Sequence, residues 1–272
     1  PYDRIILTVG AWDIALAWWD QLEPDGRLLL PLDVAGQRSI AFEQEGDHLS
    51  SRSAKVCGFM RLRGAFADPQ PTQMVPLGPD PGLEMWVAGP HARDAAKVHA
   101  WLFGSRRDWD TNVRVTVQEI IDGLSMWLAL HEPDLGRLVA WDGMADRQEI
   151  PPLIGLGDKR KQTFTPTLFG DGGLAALMRP PGQPAPLGRD VELYCPGPPF
   201  PLFVRQFGTD GSLAQRLVAR VQAWDAAGRP SSAGLRVRAY RRDSDTVPMP
   251  KGGEIVVEKS RMWLFLDWPT HA

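Results

Sequence analysis

The sequence predicts an α/β protein: the closing part of a doubly wound sheet, finished by antiparallel strands and followed by a second region of mixed α+β character. Three observations predict it. Two apolar runs, Arg4-Ile5-Ile6-Leu7-Thr8-Val9 and Arg27-Leu28-Leu29-Leu30-Pro31-Leu32, flank a short helical segment. That is the pattern of a parallel strand pair joined by a right-handed crossover. Residues 37–43 and 48–53 then alternate around Gln44-Glu45-Gly46-Asp47, a hairpin. Beyond residue 82, short strand and helix candidates follow one another without a fixed period, which excludes solenoids and propellers.

The elements follow in order. The first strand is apolar on both faces and belongs in the middle of a parallel sheet, with partner strands expected upstream of Pro1. Gly10-Ala11-Trp12-Asp13 forms its exit, residues 14–22 form a helix, and Glu23-Pro24-Asp25-Gly26 stops it. Five prolines between residues 69 and 82 disfavour regular structure, so a linker is placed there, between a first domain over 1–68 and an accessory domain over 83–272. In that domain residues 113–130 join an entry strand to an amphipathic helix carrying Ile120, Ile121, Leu124, Trp127 and Leu128. Strand candidates lie at 137–140, 163–168, 174–178, 191–194, 202–204, 235–240, 254–257 and 262–266. A helix over 212–227 carries Leu213, Leu217, Val218, Val221 and Trp224 at helical spacing.

Composition narrows the function classes. The chain has 272 residues, 43% of them apolar, enough for one large core or two ordinary ones. Thirty Lys and Arg against 33 Asp and Glu leave a net charge of −3, which gives no bulk attraction for nucleic acid or an anionic membrane. Cys57 and Cys195 are too few for a disulfide framework and lack metal-type spacing, so a reducing cytoplasm is the expected compartment. No apolar stretch reaches the length of a membrane span. The excess of Arg over Lys, with much Ala, Gly and Pro, fits a GC-rich bacterial gene.

No nucleophile elbow, zinc-binding His pair or phosphate-binding loop is present, and Gly155-Leu156-Gly157 and Gly170-Asp171-Gly172-Gly173 read as turns. His48, His91, His99, His131 and His271 are scattered, with His131 placed to cap a helix. Glu119 and Asp122 share a helix face and read as a solvated stripe, and Asp158-Lys159-Arg160-Lys161 as a solvated loop. Of the eleven tryptophans, Trp18, Trp19, Trp127 and Trp224 read as core. Trp12, at the carboxyl edge of the first strand, is open to either core packing or ligand contact.

Two stretches carry a family resemblance: residues 1–8, Pro1-Tyr2-Asp3-Arg4-Ile5-Ile6-Leu7-Thr8, and residues 21–32, Gln-Leu-x-Pro-Asp-Gly-Arg-Leu-Leu-Leu-Pro-Leu. They resemble the later half of the catalytic domain of protein-L-isoaspartate O-methyltransferases. Arg38-Ser39-Ile40-Ala41-Phe42-Glu43, His48-Leu49-x-Ser51-Arg52-Ser53 and Cys57-Gly58-Phe59 are similar to one branch, the FxLD-system methyltransferases associated with ribosomally made peptide natural products. Segments around residues 125–131, 223–225 and 266–269 resemble the accessory region of that branch more weakly.

The resemblance implies the C-terminal part of a Rossmann-like class I methyltransferase sheet. It also implies methyl transfer from S-adenosyl-L-methionine to an aspartyl or isoaspartyl carboxylate of a peptide or protein, with aspartimide formation as an onward step. A carboxylate is already an ionised nucleophile, so such a site needs alignment and water exclusion more than a general base. By the family's geometry Thr8, Val9, Gly10, Ala11 and Trp12 line the methyl-transfer pocket, and the cofactor determinants are expected upstream of Pro1. Val9-Gly10-Ala11-Trp12 replaces the family's small residues, and the bulk of Trp12 narrows or re-aims the pocket. The competing reading is a non-catalytic peptide-binding module or a degenerate methyltransferase subunit.

Overall fold

A computed structural model describes residues 1–79, 81–88, 94–147, 150–156, 161–183 and 197–269. They divide into one unit made of 1–69 with 230–272 and another made of 70–229. The first unit opens with β1 (Tyr2–Ile6), α1 (Leu16–Asp20) and β2 (Leu22–Asp33). β1 and β2 pair in parallel, Arg4 opposite Arg27 and Ile6 opposite Leu29, as the strand, helix, strand pattern requires. Pro24 and Gly26 do not end the helix in a separate turn. They lie inside β2, and the register with β1 slips between Tyr2 and Arg4 to accommodate them. β3 (Gln37–Glu45) and β4 (His48–Val56) form the expected hairpin, with Gly46 supplying a positive φ of 61° at the turn. Among the described residues β1 pairs with β2 alone, and Tyr2 and Ile6 on it are 58% and 64% exposed.

The second unit contains β5 (Gln73–Pro76), β6 (Leu83–Val87), α2 (Ala95–Leu102), β7 (Arg106–Val115), α3 (Val117–Glu119), a π-helical turn over Ile120–Leu124, α4 (Ser125–His131), β8 (Leu135–Trp141), α5 (Asp142–Arg147), β9 (Ile154–Leu156), β10 (Gln162–Phe169), β11 (Gly173–Met178), β12 (Phe200–Gly208) and α6 (Gly211–Ala226). Seven strands follow the order β5-β6-β8-β10-β11-β12-β7, all antiparallel, and β9 pairs with β10. Leu213, Leu217, Val221 and Trp224 of α6 and Ile120, Leu124 and Leu128 pack with Leu177, Leu202 and Val204 in one core. A second core joins Val98 and Leu102 of α2 and Met144 of α5 to Leu138, Phe169 and Phe207. The expected linker over 69–82 is corrected, because β5 forms within it. Pro76 closes that strand, where a missing backbone donor costs little.

The chain then returns to the first unit as β13 (Arg236–Arg241), β14 (Ile255–Glu258) and β15 (Met262–Asp267), completing the sheet β1-β2-β3-β4-β13-β15-β14. A single accessory domain over 83–272 is therefore corrected: residues 230–272 belong with the first 69. β13 meets the edge that β4 would otherwise leave open, Ala239 opposite Leu49, and Leu49, Val237, Ala239 and Leu264 are buried along it. No described helix is long and apolar enough to cross a membrane. The strand candidate at 191–194, Cys195, Gly157, His91, His271 and the charged residues 158–160 lie outside the described residues.

Candidate functional site

The carboxyl ends of β1 and β2 are where an open α/β sheet presents ligand-binding groups. Beyond β1 the chain stays beside β2: Ala11 donates its N–H to the Pro31 carbonyl at 2.7 Å, and Asp33 donates to Ala11 at 2.9 Å. Of the five residues expected to line a pocket, Thr8 is exposed, Val9 and Trp12 are half-buried, and Gly10 and Ala11 are buried.

Residues 60–62 cover Gly10, whose N–H donates to Met60 at 2.7 Å and whose carbonyl accepts from Leu62 at 2.8 Å. Gln37 locks this segment down, donating to the Phe59 carbonyl at 3.0 Å and accepting the Phe59 N–H at 2.6 Å. What remains is a crevice of about 10 Å³ among Gly10, Ala11, Trp12, Asp33, Arg61 and Phe66, room for one water-sized group. Small-molecule sites take roughly 300 Å³ or more, so S-adenosyl-L-methionine does not fit this crevice.

Charge gathers around it. Asp13 is buried; its Oδ1 accepts the Ile14 N–H at 2.8 Å and its Oδ2 the Arg261 N–H at 2.6 Å. Burial raises its pKa against the pull of those donors. Asp33 meets Arg61 at 2.7 Å, and Arg61 reaches Asp68 at 3.5 Å. Buried Arg38 spends its guanidinium on the Val34, Ala35 and Gly36 carbonyls and on the Ser232 hydroxyl. Lys259, in the turn between β14 and β15, is 3% exposed, with Nζ 3.2 Å from the centre of the Trp12 ring. Burial pushes its pKa down to about 8, against the opposing effect of Asp33, Asp13 and Asp68. The indole N–H of Trp12 is buried and has no hydrogen-bond acceptor among the described residues.

The other sequence candidates have structural roles. Glu119 completes a capping box with Thr116 and pairs with Arg229 at 2.6 Å. His131 ends α4, its Nδ1 2.8 Å from the Trp127 carbonyl oxygen. Trp19 and Trp224 are buried, Trp127 packs against a core, and Trp18 stacks on Phe66. Residues 170–173 turn β10 into β11. No group of three or more His, Cys, Asp or Glu among the described residues could hold a metal. Sequence reasoning missed Asp13, Asp33, Arg61 and Lys259. Asp13 adjoins a chosen residue, but no local pattern marks Lys259.

A family model decides which known proteins this edge resembles. Residues 1–65 match the protein-L-isoaspartate(D-aspartate) O-methyltransferase family. The methyltransferase-like segment therefore covers β1 to β4 and the covering residues 60–62, and it stops short of Lys259 and the returning strands. A solved structure of a protein-L-isoaspartate O-methyltransferase is 15% identical, covers 88% of this chain and 51% of its own, and has a TM-score of 0.27. The chain thus spans about half the length of that protein. No curated protein matches.

Proposed function

We propose that this chain serves the S-adenosyl-L-methionine-dependent methylation of an aspartyl or isoaspartyl carboxylate in a peptide or protein. The observation that carries the reading is the match of residues 1–65 to the carboxyl methyltransferase family. The parallel pair β1 and β2, with Gly10, Ala11 and Trp12 at its carboxyl edge, supports it. In this reading the described residues supply the acceptor side: Thr8, Val9, Gly10, Ala11 and Trp12 shape the approach of the carboxylate, and burial around Trp12 excludes water. The second unit is assigned to holding the peptide. As an onward step, the following backbone nitrogen attacks the ester carbonyl, its proton leaves with the methoxide as methanol, and an aspartimide ring closes.

The rival, a non-catalytic peptide-binding module, draws on the small crevice at that edge. One assay separates them. The full-length protein is incubated with the methyl donor and with aspartyl and isoaspartyl peptides, and the peptides are weighed by mass spectrometry. A gain of one methyl group, followed by its loss as methanol, supports methyl transfer. Peptide affinity by calorimetry that persists without the donor and brings no mass change moves the assignment to the binding module.

A further inference from the structure

Two hydrogen-bond donors lie together beside the candidate edge with no acceptor among the described residues. Lys259 is 97% shielded from solvent by the 3% exposure of its residue, and its ammonium makes no hydrogen bond or close ion pair among the described residues. It rests on the face of Trp12, whose own indole N–H is buried without an acceptor. A buried cation is normally met by a hydrogen-bonded anion, because neither ring face nor distant charge replaces its lost water.

The nearby carboxylates are engaged elsewhere. Asp33 and Asp68 share Arg61, and Asp13 takes two backbone N–H groups and faces the Arg261 guanidinium at 4.0 Å. Arg242 holds the Lys259 carbonyl and pairs with Glu258. Arg38 is bound to carbonyls, and Arg61 and Arg261, with 48% and 35% of their side chains exposed, face Asp33, Asp68 and Asp13, so among the described residues these groups are engaged with one another and not with the Lys259 ammonium.

We propose that Lys259 and the indole N–H of Trp12 form a carboxylate-binding subsite, in which the returning strands supply the group that receives the substrate's acidic side chain. This rests on the methyl-transfer reading for the identity of the substrate, and on geometry alone for the affinity for a carboxylate. Only half of the subsite lies within the family match: Trp12 falls in residues 1–65, whereas Lys259 enters with the turn between β14 and β15.

The test uses the full chain labelled with ¹³C at the lysine ε-carbons and ¹⁵N at the indoles. The Lys259 signal is assigned by its loss in Lys259→Met. N-acetyl-aspartate amide is titrated in, with N-acetyl-asparagine amide as the neutral isostere. A saturable shift of both the Lys259 and Trp12 signals by the aspartate probe alone is expected, with at least tenfold weaker binding in Lys259→Met and a smaller loss in Trp12→Phe. If the aspartate probe moves neither signal, or both probes move them alike, the subsite is wrong. That titration is made on the unmodified protein, so it decides the matter even if a variant fails to fold. In the methylation assay, Lys259→Met with an unchanged KM overturns the subsite and leaves methyl transfer standing. Aspartate binding at Lys259 in a protein that transfers no methyl group supports the subsite and overturns methyl transfer.

Discussion

A methyl group added at residue 10 would land inside the side-chain amide of Gln37, which is why the exit of β1 has glycine there. Gly10→Ala pushes that amide off both of its bonds to Phe59, so it is expected to cost about 1–2 kcal/mol. It should also loosen residues 59–62, read as faster proteolysis within that segment. Asp13 ties the same exit to the β14–β15 turn. Asp13→Ala leaves the Ile14 and Arg261 N–H groups without an acceptor and is expected to lower stability by roughly 1–3 kcal/mol in urea unfolding.

Lys259 has a pH signature. The unfolded chain keeps this proton up to about 10.5, whereas the folded chain releases it near 8. Between those values the unfolded state binds more protons, so this group makes stability rise with pH. The burial cost, on the order of 3 kcal/mol, is fully present below about pH 8 and is relieved above it. Urea midpoints of the natural protein should climb from pH 7.5 to 9.5, while those of Lys259→Met start higher at pH 7.5 and stay flatter. Parallel profiles would show that Lys259 does not titrate in this range.

Elements were legible where one pattern filled them. The hairpin of β3 and β4 and the helix α6 lie within three residues of their sequence boundaries, because alternation and 3.6-residue spacing are local properties. β5, β6, α2, α5 and β9 gave no such signal: they are short, and pairing or packing stabilises them more than propensity does. Gly136 shows how tight that pairing is. A Cβ there would stand 2.6 Å from the Trp86 carbonyl oxygen and 2.9 Å from Phe169. Gly136→Ala is expected to push β6 from β8 and to cost 1–3 kcal/mol or about that, measured as a lower midpoint of unfolding.

For the whole molecule the decisive fact is that residues 70–229 are an insertion between β4 and β13. They have their own sheet and two cores, so an excised 70–229 fragment should fold with a cooperative thermal transition. Residues 1–69 alone should not, because β4 would lose β13 and leave Leu49 uncovered. A cooperative transition in the short fragment, or none in the long one, would contradict this division.

The sequence by itself determined the strand, helix, strand opening, the hairpin after it, the amphipathic helix of the second unit and the resemblance over residues 1–64. Each of these is written in neighbouring residues. The tertiary structure alone decided that the last strands rejoin the first and that Asp13 meets Arg261 across 248 residues of chain. The Lys259–Trp12 pair follows from the same closure. Strand order and charge pairing depend on which edges remain to be covered once the cores form, and local periodicity holds no record of that.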